Sequence, residues 1–333
     1  MSQPTYRTVT QDDSLPPVEP PSAGFLVQLF LVPAIIVAII VCVWLAFHWL
    51  AHLGNDPQAY VRTLRRANEG RWQAALNLAN DLRGPGGAAL KNDESLASEL
   101  GRILADEAAS GRVGEQSQTL RLYLCRALGE FAIPAAAGPL VEQARRTADP
   151  QTARAAVEAL AVLSTNLVAG DRRPDDPAII SAAVVDASRS SDVPLRGAAA
   201  FTLGVLGGDD AIERLVQLAA DENDDVRYNA ALGLARQGRN EAIDTLSEML
   251  SLDDLAPSPA TDSPQAQSLR YKRALVVINA LRGVAALVDA TGSPPTPAII
   301  ARIESLREDP VGDVRSSAAA LLKKIERLQK VAA

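Results

Sequence analysis

Hydrophobic residues are distributed along this chain in two distinct ways. From Phe25 to Leu50 they run almost unbroken, interrupted only by Gln28, Pro33 and His48. As a helix at ~1.5 Å per residue the run reaches ~39 Å, against ~30 Å of bilayer hydrocarbon. One tilted transmembrane helix is predicted, with its ends at Phe25 and Leu50. Trp44, Phe47 and Trp49 cluster toward its C-terminal end, where interfacial aromatics sit. A cleaved signal peptide needs a basic start and a shorter apolar stretch, whereas the leader here sets Arg7 against Asp12, Asp13 and Glu19. Residues 1–24, with Pro4, Pro16, Pro17, Pro20 and Pro21, carry too few apolar groups to order themselves, which predicts a disordered tail.

Beyond Leu50 the apolar positions recur every three and four residues, the period of an amphipathic helix. Pro57–Glu69, Arg71–Leu82 and Asn92–Ala109 predict a membrane-proximal helical region over residues 51–117, punctuated by Gly70 and by Gly84-Pro85-Gly86-Gly87. From residue 118 to residue 333 the chain repeats itself. Arg196 set over Arg227 gives an ungapped alignment with a period of thirty-one residues, matching Ala199/Ala230, Ala200/Ala231, Leu203/Leu234, Gly207/Gly238 and Leu215/Leu246. Each unit reads as a helix of small and apolar residues, a Gly turn, a second amphipathic helix and an acidic turn. Further copies start from Arg121, Arg270 and Arg315, and one more places Ala153 where the Arg should stand. Longer steps are taken up by Asn166–Pro177, Ser251–Gln267 and Asp289–Pro297, all rich in loop-forming residues.

The run Asp224-Asp225-Val226-Arg227-x-x-Ala230-Ala231-x-x-Leu234, with Pro194-Leu195-Arg196 and Asp313-Val314-Arg315, resembles the HEAT repeat. It is similar above all to the short HEAT-like repeat of phycocyanobilin lyases. The resemblance implies an all-α fold: a right-handed α-solenoid of HEAT-like helix pairs, here preceded by a single transmembrane helix. Residues Gly70 to Leu76 are similar to part of a tetratricopeptide helix, but a single fragment favours instead a divergent first repeat or a membrane-proximal helix pair. A helix pair cannot cover its own apolar face, so stacking on neighbours is required on physical grounds as well.

Composition narrows the chemistry. Apolar residues make up 47% of the chain but aromatics only 4%, which suits close-packed helices rather than aromatic-lined pockets. A formal charge of −7 gives no footprint for nucleic acid. Cys42, His48 and His52 lie in or beside the apolar run, and Cys125 is the one Cys or His elsewhere. No metal site, cofactor or Ser-His or Cys-His nucleophile is therefore expected in the repeat region. Deoxyhypusine hydroxylases resemble this array in fold but carry paired His-Glu ligands, which the absence of His after His52 excludes. The acidic pairs Asp175/Asp176, Asp209/Asp210, Asp224/Asp225 and Asp253/Asp254 fall at expected helix starts and read as caps. Gly84–Gly87 lacks the Lys-Ser/Thr of a phosphate loop.

The expected function is a non-enzymatic, membrane-anchored scaffold that binds an unidentified protein partner and meets the lipid bilayer through one helix. The alternative is a lyase-like or accessory enzyme subunit acting on a small ligand in the solenoid groove. Arg62, Arg65, Arg66 and Arg71 outnumber Arg7 across the membrane run, which places the repeats on the cytoplasmic side. The excess of Arg over Lys suggests a bacterial inner membrane. The repeated Arg121, Arg196, Arg227, Arg270 and Arg315 read as structural ties to turn carbonyls and to Asp192, Asp225 or Asp313. Two and nine residues after each Arg lie positions on one helix face. These are Tyr123 and Glu130, Asn229 and Arg236, Lys272 and Asn279, and Ser317 and Lys324, a polar run broken by Ala198 and Val205. That face is the expected partner surface.

Overall fold

A computed structural model describes residues 23–52, 57–66, 70–252 and 263–332, and every regular element among them is a helix. The chain divides into two compact units, Met1–Asn55 and Asp56–Ala333. The first holds α1, Ala23–His52, which brackets the predicted ends Phe25 and Leu50 by two residues on each side. Pro33 lies inside it. Every side chain from Val27 to Phe47 is exposed within the described structure. The residues of the expected tail up to residue 22 lie outside the described residues.

The second unit contains α2 (Pro57–Arg65), α3 (Arg71–Arg83), α4 (Glu94–Ala109), α5 (Glu115–Gly129), α6 (Ala137–Ala144), α7 (Pro150–Ala169) and α8 (Pro177–Ala187). It continues with α9 (Val193–Leu206), α10 (Asp209–Leu218), α11 (Asp224–Arg236), α12 (Ile243–Leu250), α13 (Pro264–Thr291), α14 (Pro297–Ser305) and α15 (Gly312–Ala332). The packing sorts them into two rows. Each even-numbered helix pairs with the odd-numbered helix that follows it, from α2 with α3 to α14 with α15. The odd-numbered helices also pack on one another in unbroken order from α3 to α15. An α-solenoid of stacked helix pairs results. The expected boundary near residue 118 is absent, because α3 packs on α5 and α4 on α6 as later pairs do.

Local chemistry explains the element ends. The side chains of Asp93, Asp149, Asp176, Asp192, Ser263 and Thr296 each accept a hydrogen bond from a backbone N–H in the first turn of the following helix. Proline stands in that first turn after five of them, where a missing N–H costs nothing. Asp209, Asp210, Asp224 and Asp225 sit in first turns, facing the positive end of the helix dipole. Asp253 and Asp254 lie outside the described residues. Gly207 takes φ +67°, a left-handed turn that closes α9 onto α10 as the Gly signal predicted. Helix α7 runs to Ala169 and α13 to Thr291, so the expected loops at Asn166 and Asp289 begin later than their composition suggested.

The core is leucine and alanine at the seams between rows and between successive pairs. Small residues let axes approach: a Cβ built on Gly204 would stand 2.3 Å from the Gly233 Cα, so α9 and α11 touch backbone to backbone. Helix α13 is long and apolar enough to cross a bilayer, yet it packs on α11, α12 and α15 and buries Ala274, Val277, Ala280, Leu281 and Val284. Its apolarity belongs to the solenoid core. Gly204→Ala is expected to cost about 1–3 kcal/mol in urea unfolding of the full-length protein, because backbone cannot give way. Gly138→Ala, at an exposed helical site with nothing within 4 Å, should be neutral or stabilising by about 0.5–1 kcal/mol.

Candidate functional site

The odd-numbered row is organised by arginines near helix starts. Arg196 on α9 donates from Nη1 to the carbonyls of Ser190 and Ser191, both at 3.1 Å. Its Nε and Nη2 reach both oxygens of Asp221 in the next unit, at 3.1 and 3.2 Å. Arg121 on α5 does the same with the Arg112 carbonyl at 2.9 Å, and with Asp149 and Thr152 of the next unit at 3.1 and 3.3 Å. Arg227 donates to the carbonyls of Asp221 and Glu222 and pairs with Glu248 on α12 at 2.8 Å. Arg315, on the last helix, binds the carbonyls of Asp309 and Pro310. The expected ties to turn carbonyls are therefore present. For Arg121, Arg196 and Arg227 a carboxylate comes from the following unit rather than from Asp192 or Asp225, and Arg227 pairs in addition with Asp224 on its own helix at 2.9 Å. Asp192 is occupied as the cap of α9.

At α13 the register differs from the expectation. Arg273, not Arg270, donates to the Leu252 carbonyl at 3.2 Å and pairs with Asp309 of the next unit at 2.7 Å, both side chains being buried. Arg270 Nε lies 3.4 Å from the carbonyl of Ala266, one turn back on its own helix. Helix α13 begins at Pro264, more than two turns ahead of Arg273, whose partners are the Leu252 carbonyl before the helix and Asp309 of the next unit. A further tie was missed. Arg71 on α3 donates to the Leu64 carbonyl at 2.7 Å and to Glu107 on α4 at 2.8 Å. Its signal was legible: Arg71-x-x-Ala74-Ala75-x-x-Leu78 is the repeat motif, in the region whose alternative reading was a divergent first repeat.

The expected partner face resolves unevenly. Tyr123 is half-buried, stacked on Trp72 with ring centroids 6.3 Å apart, and the Arg126 guanidinium lies 5.5 Å from its ring centre. Glu130 is a correction: it is buried, not outward-facing, because Arg83 of α3 folds over it with bonds of 2.9 and 2.6 Å. Asn229 is half-buried and Arg236 exposed, its guanidinium 5.0 Å from the Phe201 ring centre. Ser317 is half-buried, as is Lys324, which pairs with Asp289 at 2.5 Å. Counted from Arg273, the face positions on α13 become Leu275 and Arg282, both exposed, in place of Lys272 and Asn279. The face is also less polar than expected. Phe201, Leu232 and Ile278, each five residues after a tie, add an apolar line.

Two hollows flank the α7–α9 seam. One, of about 550 Å³, is lined by Arg154, Glu158, Ala198, Phe201, Asp225 and Asn229 on the odd-numbered row. The other, of about 630 Å³, lies among Val168, Ile180, Val205, Gly208, Asp209 and Ser164, whose buried Oγ has no hydrogen-bond partner. Among the described residues no group of three or more His, Cys, Asp or Glu side chains is placed to hold a metal. Cys125 is fully buried and its thiol is pushed up to about 12 by that burial, assisted by the nearby Asp149 carboxylate. Burial by itself raises Glu107, but hydrogen bonds from Arg112, Ser117 and Arg71 outweigh it and hold the carboxyl at about 2.

The family model described as HEAT repeats matches residues 180–257, which covers α9, α10, α11 and α12. No curated protein matches. Among solved structures the chain is similar to the YibA protein of Escherichia coli, at 16% identity, 81% of this chain, 93% of that chain and a TM-score of 0.42. It is similar to human deoxyhypusine hydroxylase in complex with glycerol at 19% identity, covering 81% and 96% of the two chains with a TM-score of 0.32. A designed armadillo repeat protein matches at 17% identity, 81% and 99% coverage and a TM-score of 0.34.

Removing one partner of a buried pair leaves the other charge uncompensated, so Arg273→Ala should destabilise the array by about 3–5 kcal/mol in urea unfolding. An unchanged unfolding midpoint in Arg273→Ala would contradict the tie. Acid offers a second measurement. Glu107 has a lowered folded pKa, so its contribution is complete above the ordinary carboxylate value of about 4.3 and is lost as pH falls toward about 2. Between those limits the native protein should lose stability more steeply than Glu107→Gln, and parallel curves would contradict the assignment.

Proposed function

We propose that the protein is a bilayer-tethered, non-enzymatic scaffold whose odd-numbered helix row holds a protein partner. The observation that carries the binding role is the row itself. Helices α3, α5, α9, α11 and α13 are each tied to the following pair, yet Val162, Phe201 and Leu275 on α7, α9 and α13 remain about two-fifths exposed at 39%, 39% and 43%. Apolar side chains held rigidly in water are what a partner covers. HEAT repeats over residues 180–257 include the centre of this surface.

The tether rests on α1, whose apolar side chains from Val27 to Phe47 find no cover in the described structure. A helix apolar on every face is stable where hydrocarbon surrounds it. The arginine excess on the C-terminal flank supports a cytoplasmic array at a bacterial inner membrane. Tethering raises the local concentration of whatever the array holds at one membrane surface.

Carbonate extraction should leave the full-length protein in the membrane pellet, and its release would overturn the tether. A photo-crosslinking residue at Ala198 or Phe201, introduced into the full-length protein in native membranes, should give a discrete adduct. The same residue at the exposed even-row positions Ile179 and Val216 should not. Equal adducts from both rows would remove the case for a dedicated face.

A further inference from the structure

Charge on the odd-numbered row is not balanced where the apolar line runs. Three carboxylates near the face are engaged, Glu130 by Arg83, Glu158 by Arg154 and Asp289 by Lys324. Asp225, at the start of α11, lines the smaller hollow without an ion pair among the described residues. Three arginines, Arg126, Arg236 and Arg282, are exposed with no carboxylate partner among the described residues, and the last two lie on adjacent helices. Arg236 lies on the Phe201 ring at 5.0 Å, so a cation and an apolar surface meet at one place. Protein packed around that guanidinium pushes its pKa down by desolvation, and no counter-charge offsets the effect. A partly desolvated cation gains more from an incoming carboxylate than one in open water.

We propose that this face takes an acidic segment of a partner protein, extended across α9, α11 and α13, with an apolar side chain beside Phe201 and carboxylates on Arg236 and Arg282. The inference rests on the scaffold reading and names the partner's chemistry. Local charge must do this work, because the chain as a whole carries −7 and repels acidic molecules at a distance. Neighbouring helix axes lie about 10 Å apart, and an extended chain advances about 3.3 Å per residue. The matching segment therefore places its two acids about three residues apart, with its apolar residue next to the acid on Arg236, because that guanidinium lies on the Phe201 ring.

The test is selection from a random twelve-residue peptide display library on the full-length protein in nanodiscs, with the R236Q/R282Q double variant as counter-target. Circular dichroism and thermal unfolding would confirm that the variant keeps its helices and melting point. Selected peptides should be rich in Asp and Glu at about three-residue spacing. As synthetic peptides they should bind the double variant, and bind in their Gln-substituted forms, about tenfold or more weakly. Neutral peptides that bind both proteins equally and are lost with F201A would overturn the acidic partner while leaving the scaffold standing. Enrichment of no peptide at all would sink both. Displacement by phosphatidylglycerol vesicles or single-stranded DNA at equal charge would assign the face to polyanions in general and overturn the peptide reading.

Discussion

The solenoid depends on a guanidinium that serves two units at once. Each tie binds carbonyls of the turn before its own helix, and Arg71, Arg121, Arg196, Arg227 and Arg273 reach a carboxylate belonging to the next pair. Only arginine can do this, since its planar fork offers several donors in fixed directions whereas lysine offers a point charge. On α15, Arg315 binds the carbonyls of Asp309 and Pro310 in the turn before its helix. At α7 the position is Ala153, fully buried, and the neighbouring seam is bridged by the Thr202 hydroxyl donating to the Val157 carbonyl at 3.1 Å. Both hollows flank that seam.

Spacing fixed by these ties has a consequence for the surface. With axes held close, the tightest crossings admit only small side chains: Gly204 meets Gly233, and Gly129 meets Ala159. Larger groups are displaced to the outward positions, where Phe201, Leu232, Ile278 and Arg236 gather. The same constraint that makes the array rigid therefore builds a partly exposed line of apolar and cationic groups. A rigid face costs little conformational entropy on binding, which favours a partner that must itself become ordered.

Helix α1 obeys a different rule. Array helices bury one stripe and wet the other, whereas α1 has no wet stripe to offer from Val27 to Phe47. Its apolar side chains and those of α13 differ little in kind; what separates them is that α13 has α11, α12 and α15 around it.

The sequence by itself determined the all-helical class, the thirty-one-residue period, the Gly turns and the acidic caps, because each is set within a few residues by backbone conformation or local hydrogen bonding. It also carried Arg71 within a complete copy of the repeat motif. Tertiary structure decided what depends on neighbours from another unit. Two arginines three residues apart on α13 look alike in sequence, and only the position of Asp309 makes Arg273 the tie. Glu130 sits at a position that points outward on other helices, and only Arg83 from another helix buries it. Periodicity specifies which residues share a face. Which face is covered is set by contacts between helices far apart in the chain, and those contacts leave no periodic trace.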